Sequence, residues 1–171
     1  SIGGDFFDYL ALADGRTGFA VGDVSGKGAP AALLTAVVQG ILATQASYGG
    51  GPAVALTRIN DVLIRRSLES RFVTMFFAEL APDGRLTYSN GGHNPPFLVR
   101  AGSTQRLEVG GLICGLFPAA TFDEETVQLE PGDRVVIFSD GISEALNAAG
   151  EEFGDARLLA CLERPAGASA Q

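Results

Sequence analysis

The sequence has few basic residues and no basic run. Its 171 residues contain 12 Lys and Arg against 20 Asp and Glu, which gives a formal net charge of −8, and Lys27 is the only lysine. Proteins that bind nucleic acids draw most of their affinity from Lys and Arg on phosphates. The composition therefore argues against nucleic acid as a partner, whereas the negative charge is suited to divalent cations.

Cysteine is also scarce, since the chain contains only Cys114 and Cys161. Two widely separated cysteines exclude a CxxC redox motif and a thiolate zinc cluster, and we expect two buried free thiols in a reducing compartment. No apolar run reaches the length of a membrane span, and no signal peptide opens the chain. These absences predict a cytoplasmic protein without a membrane partner. Because the sequence starts at Ser1 rather than Met, we expect it to be part of a longer protein.

Turn dipeptides and apolar patterns divide the sequence into strands and helices. Residues 5–23 predict a β-hairpin around Asp14-Gly15, and glycine and proline then frame two helices at 30–46 and 52–67. A mainly β region follows. Its predicted strands are 72–80, 85–90, 96–100, 105–109, 126–130 and 134–140, of which the last is expected to be buried, and its predicted short helices are 142–148 and 155–163.

The order of these elements favours one fold class. Hydrophobic residues make up 46% of the chain, which is enough for a substantial core in a single domain over residues 1–171. There is no regular βαβ alternation, so a doubly wound parallel sheet is disfavoured. We predict an α+β sandwich of two antiparallel sheets flanked by helices.

The two long helices differ in their apolar pattern. The first is apolar on most faces, which predicts burial on more than one side. The second is amphipathic. Its predicted inward residues are Val54, Leu56, Ile59, Val62 and Leu63.

Two aspartates lie at the open end of the predicted hairpin. If its strands pair antiparallel around Asp14-Gly15, Asp5 falls within one residue of the position opposite Asp23. Two carboxylates side by side repel each other, and a bound cation would relieve that repulsion.

A third aspartate, Asp140, ends the predicted strand 134–140, and each of Asp5, Asp23 and Asp140 lies beside a glycine. Carboxylates, backbone carbonyls and waters are the ligands of hard divalent cations. Two such ions can clamp a phosphoryl group for in-line displacement. Because Asp beside Gly is also ordinary turn chemistry, spacing alone leaves both interpretations open.

Other polar residues offer weaker indications. Residues 22–28 resemble a phosphate-binding P-loop but lack Gly at 21 and Ser or Thr at 28, so Lys27 is either near a phosphate at the next helix N-terminus or a solvated turn residue. His93, the only histidine, is a candidate general acid or ligand, although structural hydrogen bonds are the commoner role in such a loop. Ser25 and Ser139 have no partner histidine, which argues against serine-nucleophile catalysis.

Together the motifs resemble the SpoIIE-type bacterial branch of the metal-dependent PPM serine/threonine protein phosphatases. The resemblance runs over about residues 3–163, and the motifs follow the order of the family. The matching segments are GGDFFDY (3–9), GDVSGKGAPAALL (22–34), RFVTMFFAEL (71–80), YSNGGHNPP (88–96), GGLICGLF (110–117), LEPGDRVVIFSDGISEALN (129–147) and GEEFG (150–154).

The resemblance implies an αββα sandwich with the metals at one edge. It implies that Asp23 bridges two Mn²⁺ or Mg²⁺ ions, with the carbonyl of Val24 as a further ligand, and that Asp5 and Asp140 each bind one ion. A metal-bridging hydroxide, rather than a catalytic side chain, would attack phosphorus. Relatives carry a fourth aspartate on a final strand, and a strand before Gly3, that this sequence lacks. We therefore expect terminal strands to be missing and one ion or none to bind tightly.

The resemblance also implies a substrate and partners. The expected activity is hydrolysis of phosphoserine or phosphothreonine on a protein such as an anti-sigma-factor antagonist, and the two helices after Gly28 are expected to form a homodimer. Two alternatives remain at this point. One is a catalytically weak or inactive regulatory or binding module of the same fold, and the other is a nucleotide-binding protein, suggested by residues 22–28 alone.

Overall fold

The structure is a computed structural model that describes residues 4–66, 71–101 and 103–163. The strands in this part of the chain are β1 (Phe6–Ala11), β2 (Thr17–Val24), β3 (Val73–Leu80), β4 (Arg85–Gly91), β5 (Phe97–Arg100), β6 (Ser103–Arg106), β7 (Gly110–Gly111), β8 (Glu125–Gln128) and β9 (Arg134–Val136). The α-helices are α1 (Ala29–Ser47), α2 (Gly51–Arg65), α3 (Asp140–Ser143) and α4 (Gly154–Leu162).

The strands form two sheets. Sheet A has the order β1-β2-β3-β4-β7, with β8 also paired to β4, and sheet B has the order β6-β5-β9. All neighbouring pairs are antiparallel except β4 and β7. The predicted hairpins at 72–90 and 96–109 are present, and the strand predicted at 126–130 is β8.

Alternation along β3 places apolar side chains on both faces of sheet A. Phe76 points to one face and, with Tyr88, packs against Leu98 of sheet B. Phe77 points to the other face and belongs to the cluster that contains Leu42 of α1 and Leu56 of α2. Both phenylalanines are fully buried, because successive side chains of a strand leave on opposite faces and both faces are covered here.

Helix α4 covers the outer face of sheet B. Its Leu158, Leu159 and Leu162 pack against the buried Phe97 and Phe138. The layers are therefore α1 and α2, sheet A, sheet B, and α4, which confirms the predicted α+β sandwich with helices on both outer surfaces.

Helix α1 corrects one sequence prediction. It begins after Gly28, whose φ of 78° favours glycine, and it buries one face that includes Leu34, Val38 and Leu42. The opposite face is open, because Leu33 is 70% and Val37 is 39% exposed. The predicted burial on more than one side is therefore wrong, since only sheet A and α2 cover this helix in the described residues.

Helix α1 also bears on the expected absence of membrane-length segments. The helix has 19 residues, and a window of 18 residues within it has a mean hydropathy of 1.4, which by length and composition is enough to cross a membrane. This contradicts the expectation from the sequence. A helix that packs one face into the core of a domain meets the same criteria, and α1 does so against sheet A.

Helix α2 follows the predicted amphipathic pattern with one exception. Leu56, Ile59 and Leu63 are buried, whereas Val54 is 36% exposed. Its first turn receives a carboxylate from a distant loop, because the Ala53 N–H donates to Glu124 Oε2 at 3.0 Å. Such a contact satisfies one of the unpaired N–H groups of a helix start. The predicted end of this helix near Ser67 lies outside the described residues.

The C-terminal region differs most from the prediction. The predicted buried strand 134–140 is shorter than expected. Strand β9 ends at Val136, where its pairing with β5 stops, and within residues 134–140 only Phe138 is buried. The predicted helix 142–148 is instead one turn at Asp140–Ser143. Cys114 is buried as expected, but Cys161 on α4 is exposed, so the prediction of two buried thiols is wrong for one of them.

Candidate metal-binding centre

The hairpin of β1 and β2 brings two carboxylates together. The pairs run from Ala11–Thr17 to Phe6–Gly22, so Asp5 lies opposite Asp23 at the next position. This is the alignment that the sequence predicted. The chain then continues the pairing, since the Val24 N–H donates to the Gly4 carbonyl at 3.2 Å.

Glycine makes this close approach possible. A Cβ atom on Gly4 would lie 2.1 Å from the Val24 carbonyl oxygen and 2.6 Å from Asp23 Oδ1. Both distances are far below van der Waals contact, so no larger residue fits without a shift of the backbone. The hairpin therefore packs the Asp23 carboxylate and the Val24 carbonyl against the backbone of Gly4.

Asp140 reaches the same place from sheet B. It follows β9 and begins α3, and its neighbour Ser139 donates a hydrogen bond from Oγ to Asp5 Oδ2 at 3.2 Å. The structure thus brings Asp5, Asp23 and Asp140 to one edge between the two sheets.

The electrostatics of Asp23 reflect this crowding. Its pKa is raised, first by burial, then by the charges of Asp5 and Asp140, and a hydrogen bond from the Val24 N–H partly opposes the rise. Crowded carboxylates of this kind hold a proton or a cation between them.

The residues present fit a divalent cation in the chemistry of their donors. Within residues 4–66, 71–101 and 103–163, no three carboxylate, thiol or imidazole side chains are arranged to hold an ion by themselves. Two neighbouring carboxylates and the carbonyl of Val24 nevertheless match the oxygen donors that Mg²⁺ and similar ions take together with water. Their role as ligands stays a prediction, and so does that of Asp140.

Lys27 lies close to the centre along the chain but is solvated. It is exposed, in the loop between Gly26 and Gly28, whose φ values are 105° and 78°. This loop joins Asp23 on β2 to the start of α1. A role for Lys27 in binding substrate stays a prediction.

His93 is buried in the loop after β4, with 5% of its surface exposed. Asn90 fixes its backbone, because the His93 N–H donates to Asn90 Oδ1 at 2.8 Å and Asn90 Nδ2 donates to the His93 carbonyl at 3.0 Å. Its ring nitrogen Nδ1 lies 3.1 Å from Thr74 Oγ1. These contacts match the structural interpretation of the sequence.

Ser25 and Ser139, as expected, are not arranged as nucleophiles. Ser25 Oγ accepts the Phe72 N–H at 2.9 Å, and Ser139 contacts a carboxylate rather than a histidine. The sequence analysis missed two contacts, that of Ser139 with Asp5 and that of Thr74 with His93. Thr74 lies opposite Asp23, in the pairing of β2 with β3. The only available signal was that Ser139 adjoins Asp140.

The chain is similar in sequence to proteins of one family. The chain matches the family described as Stage II sporulation protein E (SpoIIE) over residues 13–171, which include Asp23 and Asp140 but not Asp5. It is 31% identical over 146 residues to phosphoserine phosphatase RsbU of Bacillus subtilis (strain 168), which covers 84% of this chain and 43% of RsbU.

Solved structures show the same fold. The RsbU and RsbW domains of Rv1364c from Mycobacterium tuberculosis match with a TM-score of 0.74 and 32% identity, over 86% of this chain and 42% of that one. The SiaA-PP2C domain of Pseudomonas aeruginosa matches with a TM-score of 0.81 and 22% identity, over 95% of this chain and 66% of that one.

The chain spans less than half the length of RsbU. The family match nevertheless covers nearly all of the present sequence. The order of the motifs along the chain and the two packed sheets agree with that match. The chain belongs to the SpoIIE family, as its motifs had indicated.

Proposed function

We propose that this chain is a metal-dependent protein serine/threonine phosphatase domain of the PPM type. The observation that carries the proposal is the convergence of Asp5, Asp23 and Asp140 at one edge of the sandwich, where burial and then the charges of Asp5 and Asp140 raise the pKa of Asp23. RsbU, which is 31% identical to this chain, is named a phosphoserine phosphatase, and that name supports phosphate ester hydrolysis as the reaction class.

The residues of the centre have distinct roles in this proposal. Asp5, Asp23, the carbonyl of Val24 and Asp140 would hold Mn²⁺ or Mg²⁺. When bound, such ions polarise a phosphoryl oxygen and lower the pKa of water. The Ser139 hydroxyl holds Asp5 in place through its hydrogen bond to Oδ2.

The phosphate would approach from the side of the loop before α1. Lys27 is exposed there, and the free N–H groups at the start of a 19-residue helix lie next to it. Both a lysine and a helix N-terminus attract a phosphate. No side chain of this centre is required to form a covalent phosphoenzyme.

The substrate proposed is a phosphorylated protein that resembles an anti-sigma-factor antagonist, in the cytoplasm. The solved Rv1364c structure, which contains an RsbU domain together with an RsbW domain, supports a place among partner-switching regulators. The open face of α1, with Leu33 and Val37 exposed, supports contact between two copies of the chain through the helices after Gly28.

Hydrolysis of p-nitrophenyl phosphate and of a phosphoserine protein, with Mn²⁺ and with chelator, tests the proposal. We expect turnover with Mn²⁺ only, and loss of turnover in Asp23→Ala. The matched control is Asp8→Ala on the same hairpin, because the carboxylate of Asp8 contacts the N–H of Tyr9 and not the centre. Activity that persists in chelator or in Asp23→Ala contradicts the metal mechanism.

One observation favours a second function, that of a weak or inactive binding module. In the described residues the three aspartates do not form a side-chain cluster that can hold an ion. If this alternative holds, the chain will bind the phosphorylated partner with the same affinity in Mn²⁺ and in chelator, and will not release phosphate in either.

A further inference from the structure

A hydroxyl group on α1 reaches the chain just before β1. Thr35 Oγ1 lies 3.2 Å from the Gly4 carbonyl oxygen and 3.1 Å from the Ala31 carbonyl oxygen of its own helix. The contact with Ala31 is ordinary, because a threonine hydroxyl inside a helix often bonds the carbonyl four residues earlier. The contact with Gly4 is not local, since its partners are 31 residues apart, and it joins α1 to the start of the hairpin.

The pairing of the hairpin ends just short of the first candidate ligand. The last paired residue of β1 is Phe6, and beyond it the Gly4 carbonyl accepts the Val24 N–H at 3.2 Å. The register therefore decides that Asp5 lies opposite Asp23. The orientation of the peptide group before Asp5 depends on further contacts.

The Gly4 carbonyl controls that orientation. A peptide group is planar, so its carbonyl oxygen and the Cα atom of the next residue move together. Two donors on this carbonyl, the Val24 N–H and the Thr35 hydroxyl, therefore fix the plane from which Asp5 departs. The tolerance is small, because a Cβ atom on Gly4 would lie 2.1 Å from the Val24 carbonyl oxygen. A rotation of this peptide would displace the Asp5 carboxylate relative to that oxygen.

A second contact aligns the same face of α1 with β1. One turn after Thr35, Gln39 Nε2 donates to the Phe7 carbonyl at 3.3 Å. Residues four apart lie on the same face of a helix, so Thr35 and Gln39 form a polar stripe towards β1. The contact of Gln39 is exposed, whereas that of Thr35 is partly buried. Thr35 is therefore the contact that competes less with water, and it is also the one next to Asp5.

We propose that Thr35 is a positioning residue, whose hydroxyl donates to the Gly4 carbonyl and so holds the Asp5 carboxylate beside Asp23 and the Val24 carbonyl. The hydroxyl acts through the peptide between Gly4 and Asp5 and is not itself a ligand. The positioning does not depend on catalysis. Its consequence for metal binding rests on the proposed function.

Hydrogen exchange of the metal-free chain tests the positioning directly. The Val24 amide reports on Gly4, because its N–H donates to the Gly4 carbonyl. Thr35→Val keeps the shape of the side chain but removes the hydroxyl, and we expect exchange at Val24 to rise about threefold to tenfold, as the loss of one hydrogen bond allows. Thr35→Ser retains the hydroxyl and should restore the protection. The Leu107 amide, which donates to the Pro96 carbonyl at 2.9 Å, is the reference and should not change.

Thr44 provides a matched control on the same helix. Its Oγ1 donates to the Gly40 carbonyl at 2.8 Å, which is the kind of bond that Thr35 makes with Ala31. Thr44→Val therefore removes a hydroxyl from α1 without removing a contact to the hairpin, and exchange at Val24 should stay the same. If Thr35→Val does not fold, Thr35→Ala also lacks the hydroxyl and should give the same rise at Val24.

Mn²⁺ titration by calorimetry then measures the consequence for the centre. We expect Thr35→Val to bind Mn²⁺ about tenfold more weakly, which is the lower end of the usual cost of removing a residue that supports a ligand. The lower end applies because the Val24 N–H still holds the Gly4 carbonyl. Thr35→Ser should recover most of the loss.

The outcomes separate the positioning role from the proposed function. Unchanged exchange at Val24 in both Thr35→Val and Thr35→Ala overturns the positioning role, and so does a rise of equal size at Leu107 or in Thr44→Val. Faster exchange at Val24 with unchanged affinity for Mn²⁺ also overturns it, because Asp5 would then need no such support. Faster exchange in a chain whose unsubstituted form binds no Mn²⁺ supports the positioning and contradicts the proposed function instead.

Discussion

Sheet A and sheet B contribute to the candidate centre in different ways. In sheet A, antiparallel pairing alone places Asp5 opposite Asp23, and β3 beside them is almost entirely buried. In sheet B, β9 pairs over only three residues, and Asp140 lies four residues beyond its end. Backbone register fixes one half of the centre, whereas side-chain contacts hold the other.

This difference indicates where the centre is adjustable. A register cannot shift by a fraction of a residue, because a one-residue slip turns every side chain to the other face. A short segment held by side chains can move without disturbing the sheets. We therefore expect conditions that change activity to act mainly on the segment that carries Asp140.

The largest effect should come from the core of sheet A. Phe77→Ala removes a fully buried ring between sheet A and the helices, and we expect it to cost about 3–5 kcal/mol of unfolding free energy. Val136→Ala in the half-buried β9 should cost about 1 kcal/mol. Urea denaturation of both variants measures the contrast, and equal costs would show that the two sheets are equally tightly packed.

A buried charge in sheet A should give the next largest effect. Glu79 is 4% exposed and pairs with Arg16, which is 33% exposed. Burial raises the pKa of Glu79, and Arg16 opposes that rise. Because Arg16→Met leaves the carboxylate unpaired, we expect it to cost about 1–3 kcal/mol, less than for a fully buried pair.

The pH dependence of that variant has a definite sign. Without Arg16 the pKa of Glu79 rises further, so the folded state loses more stability as the pH rises above 4.5, the usual value for this group. The control is Arg65→Met, since the exposed pair Arg65–Asp61 is worth about 0.3–0.5 kcal/mol. The loss of unfolding free energy in Arg16→Met should grow between pH 5 and pH 8, measured at about constant ionic strength. A loss that stays the same over this range contradicts the account.

Asp23 should show a smaller effect, and its substitution should stabilise the folded chain rather than destabilise it. Its pKa is raised above 3.8 in the folded state, chiefly by burial, so its contribution to stability is full at low pH and is lost as the pH rises through the raised value. At pH 7 in chelator, Asp23→Asn should therefore raise the melting temperature, by no more than about 2 °C, because solvent screens the charges around this partly exposed group.

The same variant should behave differently when metal is present or the pH is low. Differential scanning fluorimetry should show that the gain in melting temperature of Asp23→Asn shrinks towards pH 4. Mn²⁺ should stabilise the unsubstituted chain but not Asp23→Asn. An Asp23→Asn variant that is less stable at both pH values in chelator would show that the carboxylates do not repel one another.

The two thiols provide the mildest comparison. Cys114 forms backbone hydrogen bonds with Val73 at the edge of β3. Its side chain is buried, and burial raises the pKa of its thiol to about 12, whereas Cys161 on α4 is exposed. Labelling of the folded protein with a thiol reagent at pH 8 should modify Cys161 only. Cys161→Ser should abolish it and change stability by less than about 0.5 kcal/mol. Labelling of both thiols at equal rates would mean that the core of sheet A opens readily.

The sequence predicted what depends on local periodicity. The position of Asp5 opposite Asp23 followed from one turn and the pairing of two strands, and the inward face of α2 followed from its helical spacing. The motifs that resemble the family added Asp140, which no local pattern could place.

The remaining features depend on which elements pack together. The open face of α1 is as apolar as its buried face, so hydropathy could not show that Leu33 is exposed. The link between Thr74 and His93 depends on β3 pairing with β2 after two intervening helices. The end of β9 at Val136 depends on the length of β5, which its own sequence does not reveal.

Anomalous diffraction from a crystal of this chain soaked in MnCl₂ tests the central claim most directly. We predict a manganese peak about 2.0–2.6 Å from carboxylate oxygens of Asp5 or Asp23, and loss of that peak in Asp23→Asn. A peak elsewhere on the molecule, or none at Asp5, Asp23 and Asp140 when Mn²⁺ supports turnover, would contradict the assignment of these three aspartates to one metal centre.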